Sequence, residues 1–326
     1  MTEPPYPGDQ PIRPAEPAVP GSGWTVPPSP PSGGQDPLVG TPDGGFEGWI
    51  RRTIALCRRS FGPALAIGAA AYLVPSLVTS GIAAVITHRL NAIAIPTQAD
   101  PDNPFGPLKQ MAHSVAGWYA LLLVVAVAVG YVQSVAWASI TRLMARDALG
   151  HPRDLGATIR FGLRRGLPLW GWYVVVYLCV VVGACFCVVP GVYLALAMSL
   201  IAPIVVFERQ QPAITRSFRL MHSNFWPSVG RLLLLGLCYW VYALIVGTIL
   251  GAVTGVSTMT FTAGLQGQGH VPESSLAAQL LVGVLDTIVT LPATIVGIAG
   301  ILALYAELRA REGEQATGAD LAAAAG

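Results

Sequence analysis

The chain has 326 residues, of which 53% are hydrophobic and only 11% charged, and its mean hydropathy is +0.58. Soluble domains carry roughly 25% charged residues, so the composition excludes an ordinary water-soluble domain and marks an integral membrane protein. The net charge of +2 says little by itself. What matters is where the charges sit, and no nucleic-acid partner is expected.

Residues 1–45 hold 13 of the 27 prolines, interspersed with Gly and Ser. Such a segment cannot bury enough apolar surface to offset chain entropy, so it is expected to be a disordered cytoplasmic tail. It lacks the apolar core of a secretory signal, which leaves the first span as an uncleaved anchor. A membrane domain is expected over 46–311, and a second disordered tail over 312–326.

Six apolar stretches follow, at about 63–87, 115–140, 167–189, 191–207, 229–255 and 283–306. Each approaches or exceeds the ~20 residues needed to cross ~30 Å of hydrocarbon. The third and fourth are fused into Leu167–Phe207, 41 residues without Asp, Glu, Lys or Arg. As one helix this run would be about 60 Å long. Read as two spans, with Pro190-Gly191 as the turn signal between them, it puts the basic clusters on both its flanks on one side. Of the 18 arginines and one lysine, 17 then fall on the side of the N-terminus; Arg89 and Lys109 fall on the other. That split predicts both termini in the cytoplasm of a multi-pass plasma-membrane protein.

Three stretches precede the odd-numbered spans: "FEGWIRRTIALCRRSFGPAL", "RDLGATIRFGLRRGLPLWG" and "PAITRSFRLMHSNFWPSVG". An offset of 164 pairs Arg52 with Arg216, Leu56 with Leu220, Phe61 with Phe225 and Pro63 with Pro227. Each reads as an amphipathic helix lying in the membrane interface, bent into its span by the closing proline. In the third, Ile214, Phe218, Met221 and Phe225 form the apolar stripe and Arg216, Arg219 and His222 the opposite face. The fold expected is all-α: six transmembrane helices as three hairpins with cytoplasmic interfacial helices. Arg51, Arg52, Arg58, Arg59, Arg164, Arg165, Arg216 and Arg219 are the candidates for lipid headgroups, which makes membrane lipids the expected partners.

The pattern Pro190-Gly191-Val192-Tyr193, the apolar run ending at Glu208, and then Arg216-Ser217 with Phe218 and Trp226 resembles the bacterial membrane-domain family named after glycerophosphoryl diester phosphodiesterases. The ending "ALYAELRAR", with Tyr305 and Arg309, is similar to that family's own, Ala306 and Glu307 being departures. The resemblance covers 46–311 and implies a fold and a membrane address. The soluble catalytic barrel of fused family members would need a further ~250 residues, so no phosphodiesterase activity is expected.

No catalytic motif emerges, no cofactor is expected, and the five scattered histidines suggest no metal site. Four of the five cysteines lie in apolar runs and read as small fillers. Asp286 is the one carboxylate within Leu276–Ala306, and so is the intramembrane candidate. Twenty residues from Ala306 put it about 30 Å away, at the outer interface; a pore-facing position is the alternative. Glu208 is expected to pin the third interfacial helix through Arg216 or Arg219. Gly247, Gly251 and Gly255 form a smooth ridge for helix packing, inside the bundle or at a homo-oligomer seam. The function expected is that of a non-enzymatic, lipid-interacting or scaffold module, with a small transporter or lipid-translocating protein as the alternative.

Overall fold

The computed structural model describes Leu38, residues 45–91, 106–208, 212–254 and 276–312, and Leu321 and Ala323. The chain divides into Met1–Gly34 and Gln35–Gly326, and every described residue lies in the second unit. Among the described residues the structure is all helical: α1 Gly45–Asn91, α2 Gly106–Ala148, α3 Leu155–Phe186, α4 Val188–Ala197, α5 Ile201–Phe207, α6 Ala213–Ser223, α7 Phe225–Thr254 and α8 Leu276–Arg311. Six helical segments are long and apolar enough to cross a membrane, α4 and α5 together forming the fourth. The protein is a multi-pass membrane protein.

The last helix packs along the first, α1 packs against α2, α2 against α3, and α7 against α8. Half of the apolar window of α8 is buried, against 6% of that of α7. The deepest core is built from α5 and α8: all seven residues of α5 are buried, with Ile295, Leu302 and Tyr305 of α8 beside them.

Two expectations need correction. The turn inside the 41-residue run is not Pro190-Gly191 but Cys187 alone, in extended backbone with φ −170°. Pro190 is the third residue of α4, in a first turn where its missing N–H costs nothing. Gly191 instead lets α4 lie against α3. A Cβ there would stand 2.9 Å from the Cβ of Ala184, and one at Gly183 would stand 2.9 Å from Leu194.

Second, only the third of the three repeat copies is a separate helix. The first two are continuous with α1 and α3, the latter N-capped by Asp154, whose Oδ1 accepts from the Ala157 N–H at 2.9 Å. Asn224, non-helical at φ −147°, separates α6 from α7; the matching Ser60 is buried and helical, its hydroxyl donating to Asp147 at 2.7 Å. Pro63 therefore sits inside α1. Its ring nitrogen cannot donate to the Arg59 carbonyl, and Arg153 Nη2 donates to that oxygen instead at 2.9 Å.

The fourth span is broken. α4 ends at Ala197 and α5 begins at Ile201, with Pro203 in the first turn of α5. The threonines around Pro292 bond their own preceding turns, Thr290 to the Asp286 carbonyl at 2.8 Å and Thr294 to that of Thr290 at 3.2 Å. Neither reaches the Ile288 carbonyl that Pro292 leaves without its usual donor.

The N-terminal tail, apart from Leu38 and Gly45, lies outside the described residues. Of the expected C-terminal tail, Glu312 is held by arginines and Leu321 is fully buried, so these two positions belong to the packed structure.

Candidate functional site

Hydrogen bonds draw the start of α1, the end of α2, the start of α3, α6, the start of α7 and the end of α8 to one end of the bundle. Trp49 Nε1 donates to the Gly300 carbonyl at 3.0 Å, Arg59 Nη1 to the Ala148 carbonyl at 3.2 Å, and Arg231 Nη2 to the Gly45 carbonyl at 3.2 Å. Of the 17 basic residues expected on one side, Arg13 and Arg209 lie outside the described residues. The other 15 lie on the helix portions and connections nearest this end, and Arg89 and Lys109 lie at the far ends of α1 and α2.

Two carboxylate centres organise this end. Glu307 Oε2 accepts from Arg52 Nη2 at 2.8 Å, and its Oε1 lies 2.9 Å from both Arg231 Nη1 and Arg311 Nη2. The side chains of Glu307 and Arg231 are 4% and 3% exposed. One carboxylate thus holds three guanidiniums, and the buried Nε atoms of Arg52 and Arg231 have no acceptor among the described residues.

The second centre holds α6 in place. Glu208, just after α5, receives Arg216 Nε at 2.9 Å on one oxygen and the Tyr305 hydroxyl at 2.8 Å on the other. Arg216 Nη1 also lies 2.6 Å from Glu312, whose other oxygen is 3.7 Å from Arg219 Nε. Burial works against the charge on Arg216, but Glu208 and then Glu312 outweigh it and its pKa ends raised. Ser217 donates to the Ala197 carbonyl at 2.7 Å, filling an acceptor left at the end of α4.

The expected ion pair of Glu208 is therefore present, and Arg216 is its partner. The same contact corrects the amphipathic reading of α6. Its inward face is Ala213, Arg216, Ser217, Leu220 and Met221, so Arg216, 1% exposed, is withdrawn from any headgroup. Phe218 lies outward of that face, in an aromatic cluster with Tyr193, His222 and Phe225. His222 Nδ1 donates to the Phe218 carbonyl at 2.8 Å, leaving Nε2 to accept from the Tyr193 hydroxyl at 3.0 Å.

The remaining candidates divide by exposure. Arg51, Arg58, Arg59, Arg164 and Arg219 are exposed, Arg51 in a surface pair with Glu47; Arg165 is half-buried, and Arg52 is held by Glu307. Pro190 is exposed, Gly191 buried, Trp226 exposed beside Phe225, and Arg309 lies half-buried near the Tyr305 hydroxyl. Asp286 is exposed on the bundle surface, next to the buried Thr287. Among the described residues nothing beyond its own helix backbone lies within 4 Å of the Cβ position of Gly247, and Gly255 lies outside the described residues. No group of three or more His, Cys, Asp and Glu side chains gathers among the described residues.

Sequence reading missed Glu307, which stands out only as a departure from the resembling family's ending. It also missed Glu312, Arg231, and the Asp147 carboxylate that holds Arg153 Nε at 2.9 Å and the Ser60 hydroxyl. A carboxylate amid an arginine-rich flank was the available signal.

No family model, no curated protein and no solved structure matches this chain.

Proposed function

We propose that the protein is a non-enzymatic, lipid-interacting module of a bacterial plasma membrane, with its arginine-rich end and both termini in the cytoplasm. The observation that carries this reading is the sorting of arginines at that end. Carboxylates lock Arg52, Arg216 and Arg231 inside, while Arg51, Arg58, Arg59, Arg164 and Arg219 stay exposed. Exposed cations where apolar helices leave hydrocarbon meet the phosphates of anionic lipids, each worth ~1 kcal/mol near such a surface. Kinship with the family named after glycerophosphoryl diester phosphodiesterases belongs to the same proposal. It is supported by Glu208, Arg216, Ser217 and Tyr305 forming one hydrogen-bonded centre around the resembling motif.

The test uses the full chain in nanodiscs of mixed phosphatidylglycerol and phosphatidylcholine. Replacing Arg51, Arg58, Arg164 and Arg219 together with Gln should remove the enrichment of phosphatidylglycerol among co-purifying lipids; unchanged enrichment overturns the reading. For orientation, cysteine at Pro152 on a cysteine-free background should label only after the membrane is opened, and cysteine at Gln266 should label from outside.

The alternative, a small transporter or lipid-translocating protein, draws on the broken fourth span, where the buried Ser199 hydroxyl has no partner among the described residues. Interrupted helices of this kind line substrate paths in transporters. Flux of labelled phospholipid through reconstituted protein, lost on Asp286→Asn, would favour it. Self-association through the α7 glycines is supported by the bare surface at Gly247.

A further inference from the structure

A cavity of about 720 Å³ opens between α1, α2 and α3, lined chiefly by Tyr72, Gln133, Trp137, Trp170, Tyr173 and Tyr177. Trp137 and Tyr173 meet edge to face at 6.3 Å, and a Cβ at Gly130 would touch the Trp170 indole at 3.0 Å. Such a wall of aromatic faces with few polar atoms suits an apolar chain better than a solvated solute.

Gln133 is out of place in this wall. It lies within "VAVGYVQSVAWA", and its carboxamide has no hydrogen-bond partner among the described residues. In hydrocarbon each unsatisfied polar group costs several kcal/mol. No described residue meets this amide; a ligand, a lipid or water entering the cavity would.

The register of α2 on α3 places the amide. Gly130 lies beside Trp170, Val135 beside Gly166 and Ser139 beside Gly162, so Gln133 stands level with Leu167 and Pro168. Along α3, Arg160, Leu163, Leu167, Trp170, Val174 and Tyr177 recur at spacings of three and four, which puts them on one stripe. Arg160 is seven residues from Leu167 toward the arginine-rich end, about 10 Å at 1.5 Å per residue. It is exposed, with no ion pair among the described residues. Polarity along this stripe thus runs from cation to amide to aromatic pocket, the order of phosphate, ester and chain in a glycerophospholipid.

We propose that this cavity is a binding site for one anionic glycerophospholipid. One acyl chain lies between the Trp and Tyr rings, the ester region takes the hydrogen bonds of Gln133, and the phosphate pairs with Arg160. The proposal rests on the membrane placement given above and names the lipid that one defined site would hold, as distinct from the lipids around the exposed arginines.

The test is native mass spectrometry of the full chain released from nanodiscs of equal parts phosphatidylglycerol and phosphatidylcholine. One phosphatidylglycerol should stay bound at activation energies that strip the others. Ala126→Trp and Val174→Trp, both filling the cavity, should each abolish that adduct; whichever keeps the wild-type melting temperature is the informative one. Gln133→Leu should weaken retention about tenfold, the loss of a buried hydrogen bond of ~1.4 kcal/mol. Arg160→Gln should erase the preference for phosphatidylglycerol over phosphatidylcholine while an adduct persists. An adduct unchanged in the folded cavity-filling variant overturns the inference. If the four-arginine variant still loses bulk enrichment in that case, the broader reading stands. A wild-type chain that retains and enriches no phosphatidylglycerol ends both.

Discussion

The arginine-rich end and the outer face of α7 both belong to helices apolar enough to span a membrane, but they are held in different ways. At the first, α1, α6, α7 and α8 are joined through named polar contacts centred on Glu307 and Glu208. Along the second, Leu233, Leu237, Trp240, Leu244 and Ile249 are exposed, and a side chain at Gly247 would meet open space. One region is specified by directional pairs, and so is intolerant of change. The other is specified by being greasy, a property many sequences share.

That contrast can be broken most forcefully at Glu307. Replacing it with Gln leaves Arg52 and Arg231 buried without their counter-charge, and loss of one partner from a buried pair costs ~3–5 kcal/mol. Unfolding in mild detergent should show that drop. Arg216→Met should cost a similar ~3–5 kcal/mol by stranding Glu208, and Glu208→Leu added to it should recover part of the loss, because the stranded charge goes with it. Failure of the double variant to recover anything would mean that packing, not charge, holds α6. Where α4 packs on α3, Gly191→Ala should cost ~1–3 kcal/mol, since its Cβ would stand 3.0 Å from Ala184 backbone atoms. Trp49→Phe, which removes the bond to the Gly300 carbonyl, should cost about 1 kcal/mol. Gly247→Leu should shift the stability of the single chain by no more than ~0.5 kcal/mol. A lower oligomeric mass for that variant would show that the bare face of α7 is a seam between copies.

The apolar spans were legible because hydropathy is a local property, readable in any window of twenty residues. The split of arginines was legible too, since it needs only an alternation of sides. Glu208 was placed correctly because its partner lies eight residues away, on the next helix. Glu307 was not, because Arg52 is 255 residues distant and nothing local ties the two together. The inward turn of Arg216 escaped periodicity for a related reason. Helical periodicity sends every cation outward, and only the carboxylates just after α5 and α8 reverse it. The continuity of α1 through Pro63 likewise depended on a guanidinium from the α2–α3 connection.

Glu307 also carries a consequence for biosynthesis. Chains are made from the N-terminus onward, so Arg52 emerges first, Arg231 much later, and their shared carboxylate later still. Until α8 arrives, both cations must wait in water or at headgroups, and the end of the bundle cannot close and dry. The final helix is thus the fastener of the assembly. A chain interrupted between Arg231 and Glu307 keeps both arginines without the carboxylate they share.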